Sequence, residues 1–125
     1  MTAWWLRADI MRHYPRAVEA ASDAGFLLAL YGSAVSAPVI NGPGIARDLD
    51  LIAVPKRHGV EWSILVNSLC GLCGWKEATD PTVSGMGAVC VQFLTLDNTV
   101  VDLQIRGVPL RSLDPRAMRN AEFTV

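Results

Sequence analysis

The chain has 125 residues, 51% of them hydrophobic and 18% charged, with a formal net charge of −1. That length and apolar content describe one domain, residues 1–125, with a core that needs no disulfide staples, and they exclude a disordered chain. The near-zero charge leaves no basic footprint for tight binding to a nucleic-acid backbone.

Residues 3–24 read as helix, because Trp4, Ile10, Met11, Tyr14, Val18 and Ala21 recur close to helical spacing. Pro15 interrupts that pattern, so the segment is expected either to kink there or to divide into two helices, and Gly25 caps its end. Phe26–Tyr31 is a short continuous apolar run, expected to be a strand buried on both faces. Gly32 and Ser33 follow as a strand-to-helix turn, and residues 36–46, rich in Pro and Gly, read as a loop. A second strand is expected over 49–54, halted by Pro55. Residues 59–72 carry Val60, Ile64, Leu65, Leu69 and Leu72 at helical period, ending at Gly71 or Gly74. Residues 88–96 and 99–105 are two strand patterns around Asp97-Asn98, a two-residue hairpin signature. After Pro109 the periodicity weakens, with a short helix possible from Asp114. The order predicts an α/β (α+β) domain: a mixed sheet of about four strands with helices on one face.

Three aspartates in two of these strands carry most of the chemistry. Asp48 and Asp50 alternate with Leu49 and Leu51, so both carboxylates share one face, about 7 Å apart along the strand. Asp102 lies in a later strand, in Val100-Val101-Asp102-Leu103. Ionisable groups in apolar strands are costly unless something neutralises them. Converging carboxylates suit a hard divalent cation, Mg²⁺ or Mn²⁺, and point to phosphoryl or nucleotidyl transfer.

Tyr31-Gly32-Ser33, then Asp48-Leu49-Asp50-Leu51, then Val101-Asp102-Leu103 resemble, in that order, the DNA polymerase β-like nucleotidyltransferase superfamily and its minimal nucleotidyltransferases. The resemblance spans residues 26–105. It implies a nucleotidyltransferase-like fold, Asp48, Asp50 and Asp102 as metal ligands and catalytic residues, and Asp102 as base toward an acceptor hydroxyl. It implies nucleotide binding at Gly32 and Ser33, where backbone N–H groups and the Ser33 hydroxyl hold phosphates. Two features depart from the family: the segment between Ser33 and Asp48 is long, and Ala34-Val35 stand where an arginine often follows the turn. Arg47, Lys56, Arg57 and Arg106 are the available phosphate clamps, with Arg106 favoured because it alternates onto the Asp102 face.

The expected activity is Mg²⁺-dependent transfer of a nucleoside monophosphate from an NTP, ATP first among them, to a hydroxyl with release of pyrophosphate. The acceptor is open between protein, small molecule and nucleic acid. The alternative is a catalytically degenerate protein of the same fold that acts, antitoxin-like or regulatory, through a protein partner; a homo-oligomer is also open. Three cysteines, an odd number with no secretory leader, point to reduced thiols and a cytoplasmic setting. The Trp4-Trp5 segment contains Arg7 and Asp9 and is no signal peptide, and no apolar run can span a bilayer, so no membrane role is expected. Cys70 and Cys73, with only Cys90 besides, cannot build a four-thiolate zinc site and are expected to pack at a helix end. One of Trp4 and Trp5 is expected to pack inward and the other to be exposed.

Overall fold

The computed structural model describes residues 3–32 and 45–109. Ser33, most of the 36–46 loop and the tail with its Asp114 helix lie outside them.

The first helix begins later than its apolar pattern suggests. Trp5–Leu6 form a short strand β1, and helix α1 runs Arg7–Asp23. α1 continues through Pro15 as one helix, contrary to the two-helix alternative. Pro15 lacks an N–H and frees the Met11 carbonyl; both residues are exposed, so water can take up the unpaired group. Gly25, at φ 88°, makes the turn into strand β2, Phe26–Tyr31.

β2 differs from the sequence expectation in one respect. Phe26 is buried but Leu27 is 57% exposed, because β2 is covered by the helices on one face and its other face lies on the open side of the sheet. Ile45–Ala46 at the end of the expected loop form a strand, β3, paired antiparallel with β1 (Trp5 opposite Ala46). β4 runs Asp48–Pro55, and helix α2 runs Trp62–Cys73. Gly74, at φ 71°, closes α2 in the left-handed conformation a helix C-terminus favours. Two-residue strands β5 (Lys76–Glu77) and β6 (Thr82–Val83) follow, then β7 (Val89–Leu94) and β8 (Val100–Ile105).

The main sheet has six strands, not four, in the order β2-β4-β8-β7-β5, with β6 also paired to β7. β4 and β8 are parallel and the remaining pairs antiparallel, so the sheet is mixed. The β7–β8 loop is longer than a two-residue turn. Thr95 N donates to Thr99 O and Asn98 N to Thr95 O, each at 3.0 Å, with Asn98 at φ 62°. That is a three-residue loop, Leu96-Asp97-Asn98, whose last member takes the left-handed position.

Alternation divides the sheet chemically. Leu49, Leu51, Ala53, Val89, Val91, Phe93, Val101, Leu103 and Ile105 are buried and join the inward residues of both helices in one core. The intervening positions, Asp48, Asp50, Cys90, Gln92, Asp102 and Gln104, are half-exposed on the opposite face. The helices therefore cover one face and leave the other open for a site. Trp5 is fully buried and donates Nε1 to Val100 O at 2.7 Å, whereas Trp4 is exposed beneath the Arg47 guanidinium. Arg12 and His13 of α1 hold Asp97 at the hairpin tip, at 2.8 and 3.0 Å. No helix among the described residues is long and apolar enough to cross a membrane.

Candidate active site

On the open face, strand register sets four side chains in one row. Tyr31 stands opposite Asp50, Asp50 opposite Asp102 in the parallel β4–β8 pair, and Asp102 opposite Gln92. Neighbouring strands lie about 4.8 Å apart, so adjacent members of the row are within reach of one another. Asp48 sits on the same face one alternation before Asp50, and its carboxyl group is within hydrogen-bonding reach of Asp102. The row opens on a cleft of about 500 Å³ that Thr79, Thr82, Cys90 and Gln104 also line.

The carboxylates face one another more than they face cations, with Arg47 beside Asp48 the opposing charge. Loss of hydration, then the Asp102 charge, raises the Asp48 carboxyl above its ordinary range; Arg47 opposes this. Asp50 is raised by the same desolvation, then by Asp102 and Asp48. The Tyr31 phenol is pushed up by burial, then by Asp50 and Asp102, which keeps it protonated at neutral pH.

These directions predict a pH dependence. A carboxyl whose folded pKa exceeds its unfolded one contributes stability that is fully present below the unfolded value and lost as pH rises through the folded one. Without divalent ions, Asp50→Asn should therefore gain melting temperature relative to wild type as pH rises above about 4, the ordinary carboxylate value. If the wild type gains on the variant instead, the repulsion is absent.

Gly32 serves the site by its lack of a side chain. It lies at φ 78°, and a Cβ built on it would stand 2.5 Å from Asp50 Oδ2. Gly32→Ala must push Asp50 aside and strain the backbone, at about 1–2 kcal/mol for the left-handed conformation alone. A lower melting temperature together with a weaker response to Mn²⁺ is the expected result; an unchanged Mn²⁺ response would show that Asp50 keeps its place.

Arg106 is exposed on the same face, its Nη2 donating to Gln104 Oε1 at 2.9 Å, and its charge is felt at Tyr31. Arg47 flanks Asp48 and stacks on Trp4, 5.4 Å from the ring centroid. Lys56 and Arg57 do not belong to the site. They follow the far end of β4, where Lys56 Nζ meets Ser22 Oγ at 2.6 Å. The cysteines form no disulfide; Cys73 is buried, Cys70 packs on the core, and burial pushes both thiols up, so they pack rather than react. Tyr31 and Gln92 are members of the row that residue types alone do not suggest. Their places follow from strand register, Tyr31 opposite Asp50 and Gln92 opposite Asp102.

Among the described residues no three or more His, Cys, Asp or Glu side chains form a ready metal cage. Asp48, Asp50 and Asp102 are neighbours on one face rather than a closed ligand shell. Their donor chemistry nonetheless fits a hard divalent cation: carboxylate oxygens whose charges repel, offset in part by Arg47 beside Asp48.

No family model matches the chain, and no curated protein matches it in sequence. Among solved structures it is similar to a cytoplasmic RNA terminal U-transferase, with a TM-score of 0.58 and 9% identity over 81% of this chain and 29% of that one. The chain thus spans less than a third of that protein's length, and the likeness is one of fold. Its mixed sheet, with two helices among the described residues packed on one face, is a nucleotidyltransferase-like fold.

Proposed function

We propose that the protein is a nucleotidyltransferase that moves a nucleoside monophosphate from an NTP to a hydroxyl acceptor and releases pyrophosphate. The observation that carries this reading is the register pairing of Asp50 with Asp102 across parallel strands, with Asp48 on the same face beside them. Asp48, Asp50 and Asp102 would hold Mg²⁺ or Mn²⁺, which when bound supplies charge neutralisation for the triphosphate and the attacking oxygen. The chain's own residues do the rest. Gly32 admits the backbone close to the donor's phosphates, and Arg106, hydrogen-bonded to Gln104 beyond the end of the cleft, would swing in to offer its guanidinium to the triphosphate. Asp102, at the centre of the row, takes the proton of the acceptor hydroxyl as its oxygen bonds to the α-phosphorus and the bond to the β-phosphate breaks. The fold neighbour is a U-transferase of RNA ends. An RNA hydroxyl therefore joins protein and small-molecule hydroxyls among the acceptors to test, and UTP joins ATP among the donors.

The test is incubation of the full chain with each of the four labelled NTPs, Mg²⁺ or Mn²⁺, and acceptors of these three kinds. Label should pass to an acceptor and pyrophosphate should appear in equal amount, both abolished by chelation. Failure to bind any NTP at millimolar concentration with either ion would end this reading in favour of a binding protein of the same fold.

A further inference from the structure

We infer that Gln92 is the positioning residue for Asp102, holding its carboxylate toward the cation and the acceptor hydroxyl without cancelling its charge; the inference rests on the nucleotidyl-transfer reading. Gln92 lies on β7 directly opposite Asp102, and its Nε2 donates to Asp102 Oδ1 at 3.0 Å between part-buried side chains. On its other side Asp102 faces Asp50 across the β4–β8 pair, and the Asp48 carboxyl approaches it as well. Asp102 is therefore bordered by two like charges and one hydrogen-bond donor. A carboxylate's terminal torsion is soft, and repulsion alone would turn Asp102 away from its neighbours. An outside donor is what fixes it.

The residue type matters as much as the contact. A lysine or arginine at position 92 would also donate, but as an ion pair that competes with a divalent cation. The glutamine amide carries two N–H donors and no charge, so it orients the carboxylate and leaves its negative charge available. The amide orientation follows from the chemistry, since its oxygen would be repelled by Asp102. Core packing does not ask for an amide either, because position 92 lies on the open face among Cys90 and Leu94. Ligand-orienting partners of this kind, when removed, typically cost 10–100-fold in metal affinity or activity.

The test uses Gln92→Met, which keeps length and unbranched shape but has no N–H, and Gln92→Lys, which keeps a donor but adds charge. Mn²⁺ binding is read by electron paramagnetic resonance without nucleotide, alongside metal-free melting temperature and transfer kinetics. Gln92→Met should bind Mn²⁺ about 10–100-fold more weakly and lose kcat, at a melting temperature unchanged or slightly lower. Gln92→Lys should bind Mn²⁺ no better than Gln92→Met. A residue that merely fills the strand would move only the melting temperature. Wild-type Mn²⁺ affinity in Gln92→Met overturns the positioning role, and wild-type affinity in Gln92→Lys overturns the argument from neutrality. If Gln92→Met weakens Mn²⁺ binding but the wild type transfers no nucleotide, the proposed reaction falls while the role of Gln92 at the cation stands. If the wild type binds no Mn²⁺, both fall.

Discussion

Asp102→Ala is expected to slow the proposed nucleotidyl transfer by about 10²–10³-fold, the scale on which removing one preorganised electrostatic group acts, while the metal-free protein melts no lower than wild type. The two halves have one cause. Asp102 faces Asp50 in strand register, and its charge is among the forces that raise both Asp48 and Asp50. Removing it relieves repulsion in the folded state, so stability holds or rises as chemistry is lost. The truncation leaves Gln92 Nε2 without its acceptor, but Gln92 is only part-buried and water can replace the carboxylate. Asp102→Asn separates charge from shape and should be almost as inactive as the alanine variant. Thermal melts and initial rates on the same preparations decide the matter. A collapse in melting temperature accompanying the loss of activity would make Asp102 a residue of the fold, not of the reaction.

Trp5→Ala is expected to be the most damaging change away from the site. Trp5 is fully buried, meets the His13 ring edge-on with centroids 5.4 Å apart, and donates to the Val100 carbonyl at the start of β8. Replacing a buried tryptophan by alanine costs about 3–5 kcal/mol through lost contacts and the cavity left behind. For a domain of this size that is a fall of roughly 10 °C or more in melting temperature. Trp5→Phe keeps the apolar bulk and loses the donor, so it should fall between the two. A shift within about 2 °C for Trp5→Ala would show that β1 is not part of the cooperative unit. Because Val100 lies two residues before Asp102, the alanine variant should also weaken the Mn²⁺ response of the site.

Much of this architecture is legible in the residues, and the misses have physical causes. β2 matches its apolar run, and both helices follow their periodicity, since burial of one face imposes period on sequence. The two-residue strands β1, β3, β5 and β6 are too short to show a period and exist through their partners. One-face and two-face burial cannot be told apart in a run such as Phe26–Tyr31, because apolar content records propensity rather than what packs on each face. The site divides in the same way. Strand alternation is enough to put Asp48, Asp50 and Asp102 on one face, but Gln92 depends on the hairpin loop. A two-residue loop at Asp97-Asn98 would set Phe93 opposite Asp102, whereas the three-residue loop sets Gln92 there. That slip of one position exchanges a core aromatic for the amide that touches the carboxylate.

The parallel pairing of β4 with β8 also fixes when the site comes into being. β7 and β8 are joined by a tight loop and can pair within microseconds of collapse, bringing Gln92 to Asp102 at small entropic cost. Asp50 reaches Asp102 only when chain segments about fifty residues apart are brought together, at a closure cost about 1–2 kcal/mol above that of the hairpin. Half of the row is thus local and early, and half is long-range and late. On topological grounds the complete row is expected only once β4 has docked on β8, and it is expected to be lost when the two part.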